Sequence, residues 1–162
     1  PASRVGLTLV LGPNMTPVDC EHHFKNSIGV MLNWTQFIAS SWPVELRYFA
    51  LPDDASRIYT PWYARSDGSV CGYNSSSAVP QSVASVALST ALLDHHRVRD
   101  TAPPESVAIV PAYRLNDDSI LLLDGNHRTV SSQVASSKLA IAAFVINGPI
   151  DKQALPDLAH WA

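Results

Sequence analysis

Five consecutive residues carry the densest chemistry in this chain: Asp124, Gly125, Asn126, His127 and Arg128. They follow the apolar run Leu121, Leu122 and Leu123 and precede a stretch with helical character, so they sit on a strand–turn–helix corner. The start of a helix presents N–H groups without intrahelical partners and a partial positive charge, which suits an anion. Glycine lets the backbone come close to that anion. Arginine adds a permanent cation whose forked donors match a phosphate or a carboxylate. Gly125, Asn126, His127, Arg128 and Thr129 are therefore the predicted binding residues, for a phosphate or carboxylate group. His127, with an ordinary pKa near neutrality, is a candidate acid, base or phosphate donor, and otherwise a histidine packed at the turn. Asp124 either helps hold a magnesium ion beside a phosphate or caps the helix. Thr129, Ser131 and Ser132 either donate to the anion or are small solvent-facing residues.

The elements that must position this corner are legible in outline. A strand is expected over residues 7–11, an irregular polar segment over 14–26, and a helix from Ile28 to Trp42 that Pro43 ends. Val44, Leu46, Tyr48 and Ala50 alternate with Glu45, Arg47 and Phe49, the pattern of a half-buried strand. Residues 57–64 and 69–73 flank Asp67-Gly68 as a hairpin. The aromatics gathered there, Tyr59, Trp62, Tyr63 and Tyr73, are either sheet core, the favoured reading, or the wall of a pocket. An amphipathic helix is expected over residues 80–97 with Ser82, Ser85 and Ser89 as its polar stripe. A proline-containing linker over 101–105 leads to strands at 107–115 and 119–123 around an Asn116-Asp117-Asp118 turn, then a helix over 126–138, a strand over 140–146 and a loop or short helix to the end. The expected fold is α+β, a small mixed sheet with packed helices, in a single domain over residues 1–162.

The order from residue 83 to 146, with Gly125, Arg128 and Ser131 in a Gly-x-x-Arg-x-x-small pattern, resembles the ParB/sulfiredoxin superfamily. The resemblance covers a core over residues 81–147 and leaves the first 80 residues as a divergent half. It implies binding of nucleotide phosphates at the glycine turn, with ATP or ADP, and possible magnesium, as cofactors. The Asp-Gly-x-His-Arg variant looks most like the free-serine kinases. Sulfiredoxins carry a catalytic cysteine before the His-Arg pair, and Asn126 stands there in this chain, so sulfinic acid reduction is not expected. Partition proteins carry a helix-turn-helix domain after this fold, and a partition role is not expected here. The kinases need a carboxylate base. Residues 80–93 hold none, and Glu21, Glu45, Asp94 and Glu105 are the candidates elsewhere.

Composition narrows the rest. The chain has 162 residues, 46% of them hydrophobic and 15% charged, which supports a folded core. A net charge of −3 and the absence of any basic run argue against broad nucleic-acid binding. No apolar run reaches the roughly 18 residues of a membrane span, so a cytoplasmic protein without a membrane partner is expected. Cys20 and Cys71 are read as two buried thiols. Cys20-Glu21-His22-His23 and Asp94-His95-His96 contain metal-ligand types in no recognised metal spacing, and no metal site is assigned. The expectation for function is a small-molecule enzyme, with phosphoryl transfer to a small hydroxyl substrate or another biosynthetic step as its chemistry. The alternative is a non-catalytic nucleotide-binding or DNA- or protein-binding regulatory module.

Overall fold

The computed structural model describes residues 14–98 and 106–161. The strand expected over residues 7–11 and the linker over 101–105 lie outside the described residues. Eight strands form one mixed sheet: β1 (Asn14–Met15), β2 (Val44–Leu51), β3 (Ile58–Ala64), β4 (Val70–Cys71), β5 (Val79–Ser82), β6 (Val107–Arg114), β7 (Ile120–Leu122) and β8 (Leu139–Ile146). They run in the order β1-β2-β8-β6-β7-β3, and β3 also pairs with β4 and β5. β8 is central, antiparallel to β2 over its whole length and parallel to β6. The class is α+β, and strands from both halves of the chain share the sheet.

Both faces of the sheet are covered, which is why β8 reads as an unbroken apolar run with Ala140 alone exposed. On one face Ile141, Ala143 and Val145 pack with Val110, Val86 and Val130. On the other, Phe144 and Ile146 pack with Cys20, Phe24, Phe37 and Leu155. The helices are α1 (Pro17–Phe24), α2 (Trp34–Ser40), α3 (Val83–Ala87), α4 (Thr90–His95) and α5 (Asn126–Val134), followed by a 3-10 turn over Pro156–His160. α1 and α2 supply the second face, and α3, α4 and α5 the first.

Several expectations are corrected. The segment read as irregular holds α1, because Thr16 and Asp19 close a capping box and Pro17 stands at the first helical position. The helix expected from Ile28 to Trp42 shrinks to Trp34–Ser40, started by the Asn33 side chain accepting from Gln36 N–H. The helix expected over residues 80–97 divides into β5, α3 and α4. Two of the three serines read as its polar stripe are caps: Ser82 Oγ accepts from Ser85 N–H and Ser89 Oγ from Leu92 N–H, each at 3.2 Å. β2 does not keep one inward phase. Val44 and Leu46 face the second core while Phe49 and Leu51 face the first, and Tyr48 is 70% exposed. Each end of the strand lies under a different helical layer, so no single alternation describes it. α5 ends at Val134, four residues before the expected Lys138. The hairpin at Asp67-Gly68 and the turn at Asn116 form as expected.

Candidate functional site

The corner read from the sequence lies at the wall of a cavity of about 580 Å³, within the usual size of a small-molecule site. Five separate pieces of chain line it, four of them the loop after α1, including Val30 and Met31; Pro61 and Trp62 of β3; residues 123–128; and Asp157 of the 3-10 turn. Tyr73 adds a further aromatic side chain.

β7 ends in the buried Leu123, whose N–H donates to Pro111 O at 3.0 Å. Gly125 then takes φ +80° and becomes the N-cap of α5. A Cβ here would lie 2.8 Å from Val110 Cγ1, so strand β6 as well as the backbone conformation requires glycine. The N-cap has no side-chain hydrogen bond. Asn126, His127 and Arg128 occupy the first helical turn, and their N–H groups make no hydrogen bond among the described residues. Arg128 is half-buried, lines the cavity, and has neither an ion pair nor a hydrogen bond among those residues. Asp124, also half-buried in the wall, does not cap the helix. Its carboxylate makes no hydrogen bond or ion pair among the described residues.

Thr129 departs from its expected role. It is fully buried, and its hydroxyl and N–H both donate to Gly125 O, at 2.7 and 3.0 Å. It braces the turn from behind and does not line the cavity. Ser131 and Ser132 are buried too, neither solvent-facing nor in the cavity wall, because this side of α5 packs into the protein.

His127 is exposed but tied down. Its Nε2 lies 2.8 Å from His96 O, and since a carbonyl only accepts, that nitrogen carries the proton. In its neutral form the ring offers only the Nδ1 lone pair, a proton acceptor. Trp62 meets His127 edge-on, with ring centroids 5.0 Å apart, and stacks flat on His96 at 4.1 Å. Burial, with the neighbouring His95 and His127 adding to it, pushes the His96 pKa down to about 4, so this ring is neutral at pH 7.

A β-bulge aims Trp62. The β3–β5 register shifts between Thr60 and Tyr63, Pro61 has no N–H to donate, and the buried Thr60 hydroxyl bonds Gln81 O and Trp62 N–H instead. Of the aromatics expected to be core, Tyr63 is core, Tyr59 packs on Trp161, Trp62 is buried in the first core and also walls the cavity, and Tyr73 lines the cavity.

Asp157 is the group that sequence reasoning missed. It is 5% exposed, and Tyr63 Oη donates to its Oδ2 at 2.5 Å. Burial raises its pKa above the usual carboxylate range against the opposing pull of that hydrogen bond. Nothing local distinguishes Pro156-Asp157 in the sequence, because its partners lie about ninety positions upstream on β3. The His22–His23 and His95–His96 pairs remain apart, and no group of three or more potential metal ligands occurs among the described residues. Cys20 and Cys71 are both free; burial pushes the Cys20 thiol up to about 12, while Cys71 is only partly buried.

No helix of the described residues is long and apolar enough to cross a membrane. No family model, no curated protein and no solved structure matches this chain.

Proposed function

We propose that this protein is a small-molecule enzyme that grips a phosphate group at residues 125–128 and transfers phosphoryl from ATP or ADP to a small hydroxyl compound. The observation that carries the reading is the union, on one cavity wall, of three amides at the start of α5 and the Arg128 guanidinium, none of which has a hydrogen-bond or ion-pair partner among the described residues. Together they supply a converging set of donors and a positive charge for a phosphate. The resemblance of the glycine turn to the ParB/sulfiredoxin superfamily, in its kinase variant, points the same way. Val30, Met31, Pro61 and Leu123 give the cavity an apolar side that suits a carbon skeleton.

Asp124 fits a magnesium role: one carboxylate beside the anion corner, with phosphate oxygens and water completing the shell. When bound, the ion would neutralise charge on the transferring phosphoryl group. Arg128 and the amides orient that group, Trp62 holds His127 in place, and His127 Nδ1 is an acceptor at the rim.

Thermal melting with ATP, ADP and sulfate, with and without magnesium, tests the reading. A ligand at 100 times its Kd stabilises by about 2.7 kcal/mol. The expected result is an upward shift that Arg128→Ala removes, together with a phosphorylated product detected by phosphorus NMR when free hydroxy amino acids are supplied. No shift, or a shift that survives Arg128→Ala, overturns the anion corner. A shift without turnover on any acceptor favours a regulatory nucleotide-binding module.

A further inference from the structure

We propose that Asp157, held by Tyr63, is the group that takes the proton from the acceptor hydroxyl, a role that rests on the phosphoryl-transfer reading above. The chain has no acidic residue on α3, and the first acidic residue of α4, Asp94, is not in the cavity wall. Of the carboxylates in that wall, Asp124 adjoins the anion corner, where its charge suits a metal ion. Asp157 comes from a different element of the same cavity wall.

Its position is rigidly set. Leu155 and Leu158 on either side are fully buried in the second core, and Ala154 O accepts from Asn33 N–H at 2.8 Å, which ties this turn to the start of α2. Tyr63 Oη donates to Oδ2 at 2.5 Å and to no other acceptor among the described residues. Burial and the carboxylate together keep the Tyr63 phenol well above its ordinary pKa, so it remains a donor. Oδ1 is left as the proton acceptor. A carboxylate raised by burial is a stronger base than one in water, which suits a proton acceptor. The groups that bear on its titration are Tyr63 on β3, His160 on its own turn, and Asp124, His127, Arg128 and Tyr73 in the rest of the wall.

The step balances as follows. An oxygen lone pair of the acceptor forms the new bond to the terminal phosphorus. The bond from that phosphorus to the bridging oxygen breaks, its electron pair leaving with the shortened nucleotide (ADP from ATP). The hydroxyl proton passes to Asp157 Oδ1 and returns to water after the product departs.

Sulfate, which does not titrate between pH 5 and 8, is a probe that needs no turnover. An anion bound in the same cavity raises the Asp157 pKa, so binding takes up protons. Calorimetric titration of sulfate into the full chain, in buffers of different ionisation enthalpy, measures that uptake. The expected result is net uptake that Asp157→Asn removes while sulfate still binds, and that Tyr63→Phe moves to higher pH because the opposing hydrogen bond is gone. The asparagine carbonyl still accepts from Tyr63, so the fold is kept. Binding with no uptake, or uptake unchanged in Asp157→Asn, overturns the proton-acceptor role alone. Absence of sulfate and nucleotide binding overturns the anion corner on which it rests. With an acceptor that turns over, Asp157→Asn lowers the rate at least a hundredfold at unchanged nucleotide affinity, and Tyr63→Phe shifts the acid limb of the pH profile upward. An unchanged pH profile in Tyr63→Phe overturns the positioning role of the tyrosine.

Discussion

The starts of α1 and α5 are opposite solutions to one problem. At α1, Thr16 Oγ1 accepts from Asp19 N–H, the Asp19 carboxylate accepts from Thr16 N–H, and Pro17 removes one donor altogether. Asn33, Ser82 and Ser89 cap α2, α3 and α4 with their own side chains. At α5 the cap is a glycine with no side chain to offer, and three amides and the neighbouring Arg128 are left without partners among the described residues. A side-chain cap is worth about 1 kcal/mol, so the chain forgoes stability at the single α-helix start, among those described, that opens on the cavity. The two ends teach that a satisfied helix terminus is structural and an unsatisfied one, facing a concave site, is available to a ligand.

Breaking α5 at its hinge should have the largest effect. Gly125→Ala combines a positive φ with a Cβ pushed against Val110, and a loss of about 3 kcal/mol is expected in urea unfolding. Arg128→Ala should do the reverse, leaving the unfolding midpoint nearly unchanged while sulfate or nucleotide affinity falls at least tenfold, about 1.4 kcal/mol. Thr16→Ala should lower stability by about 1 kcal/mol and leave anion affinity untouched. A loss of anion affinity in Thr16→Ala would erase the distinction between the two ends.

A separate effect is a pH dependence beneath the cavity, felt only in acid. His96 has its folded pKa depressed from 6.5 to about 4, so the unfolded chain binds the proton more tightly. Its contribution to stability is present in full above pH 6.5, is lost as pH falls towards 4, and is level below that. His96→Phe keeps the stack on Trp62 and should flatten the slope of stability against pH between 4 and 6.5. Retention of the full slope in that variant would place the titration elsewhere.

The sequence revealed the elements whose signals are local. The strand–glycine–helix corner, the Asp67-Gly68 hairpin, the Asn116 turn and the apolar β8 each depend on residues a few positions apart. The same local logic failed where two signals compete. The serine spacing over residues 82–89 matches a polar helical stripe and a pair of N-caps equally well, and only the packing of β5 against β3 breaks the helix there. Thr16-Pro17-Val18-Asp19 carried a readable capping signature that its polar surroundings obscured.

What the amino-acid order determined by itself is the donor side of the site, because a glycine, a helix start and an arginine act within one turn of backbone. The acceptor side was decided only by tertiary structure. Trp62 reaches the cavity through a bulge set by pairing with β5, and Asp157 meets Tyr63 across 94 positions of sequence. Contacts of that range depend on which strands become neighbours, a property of how the sheet packs between its two helical layers that no local pattern encodes.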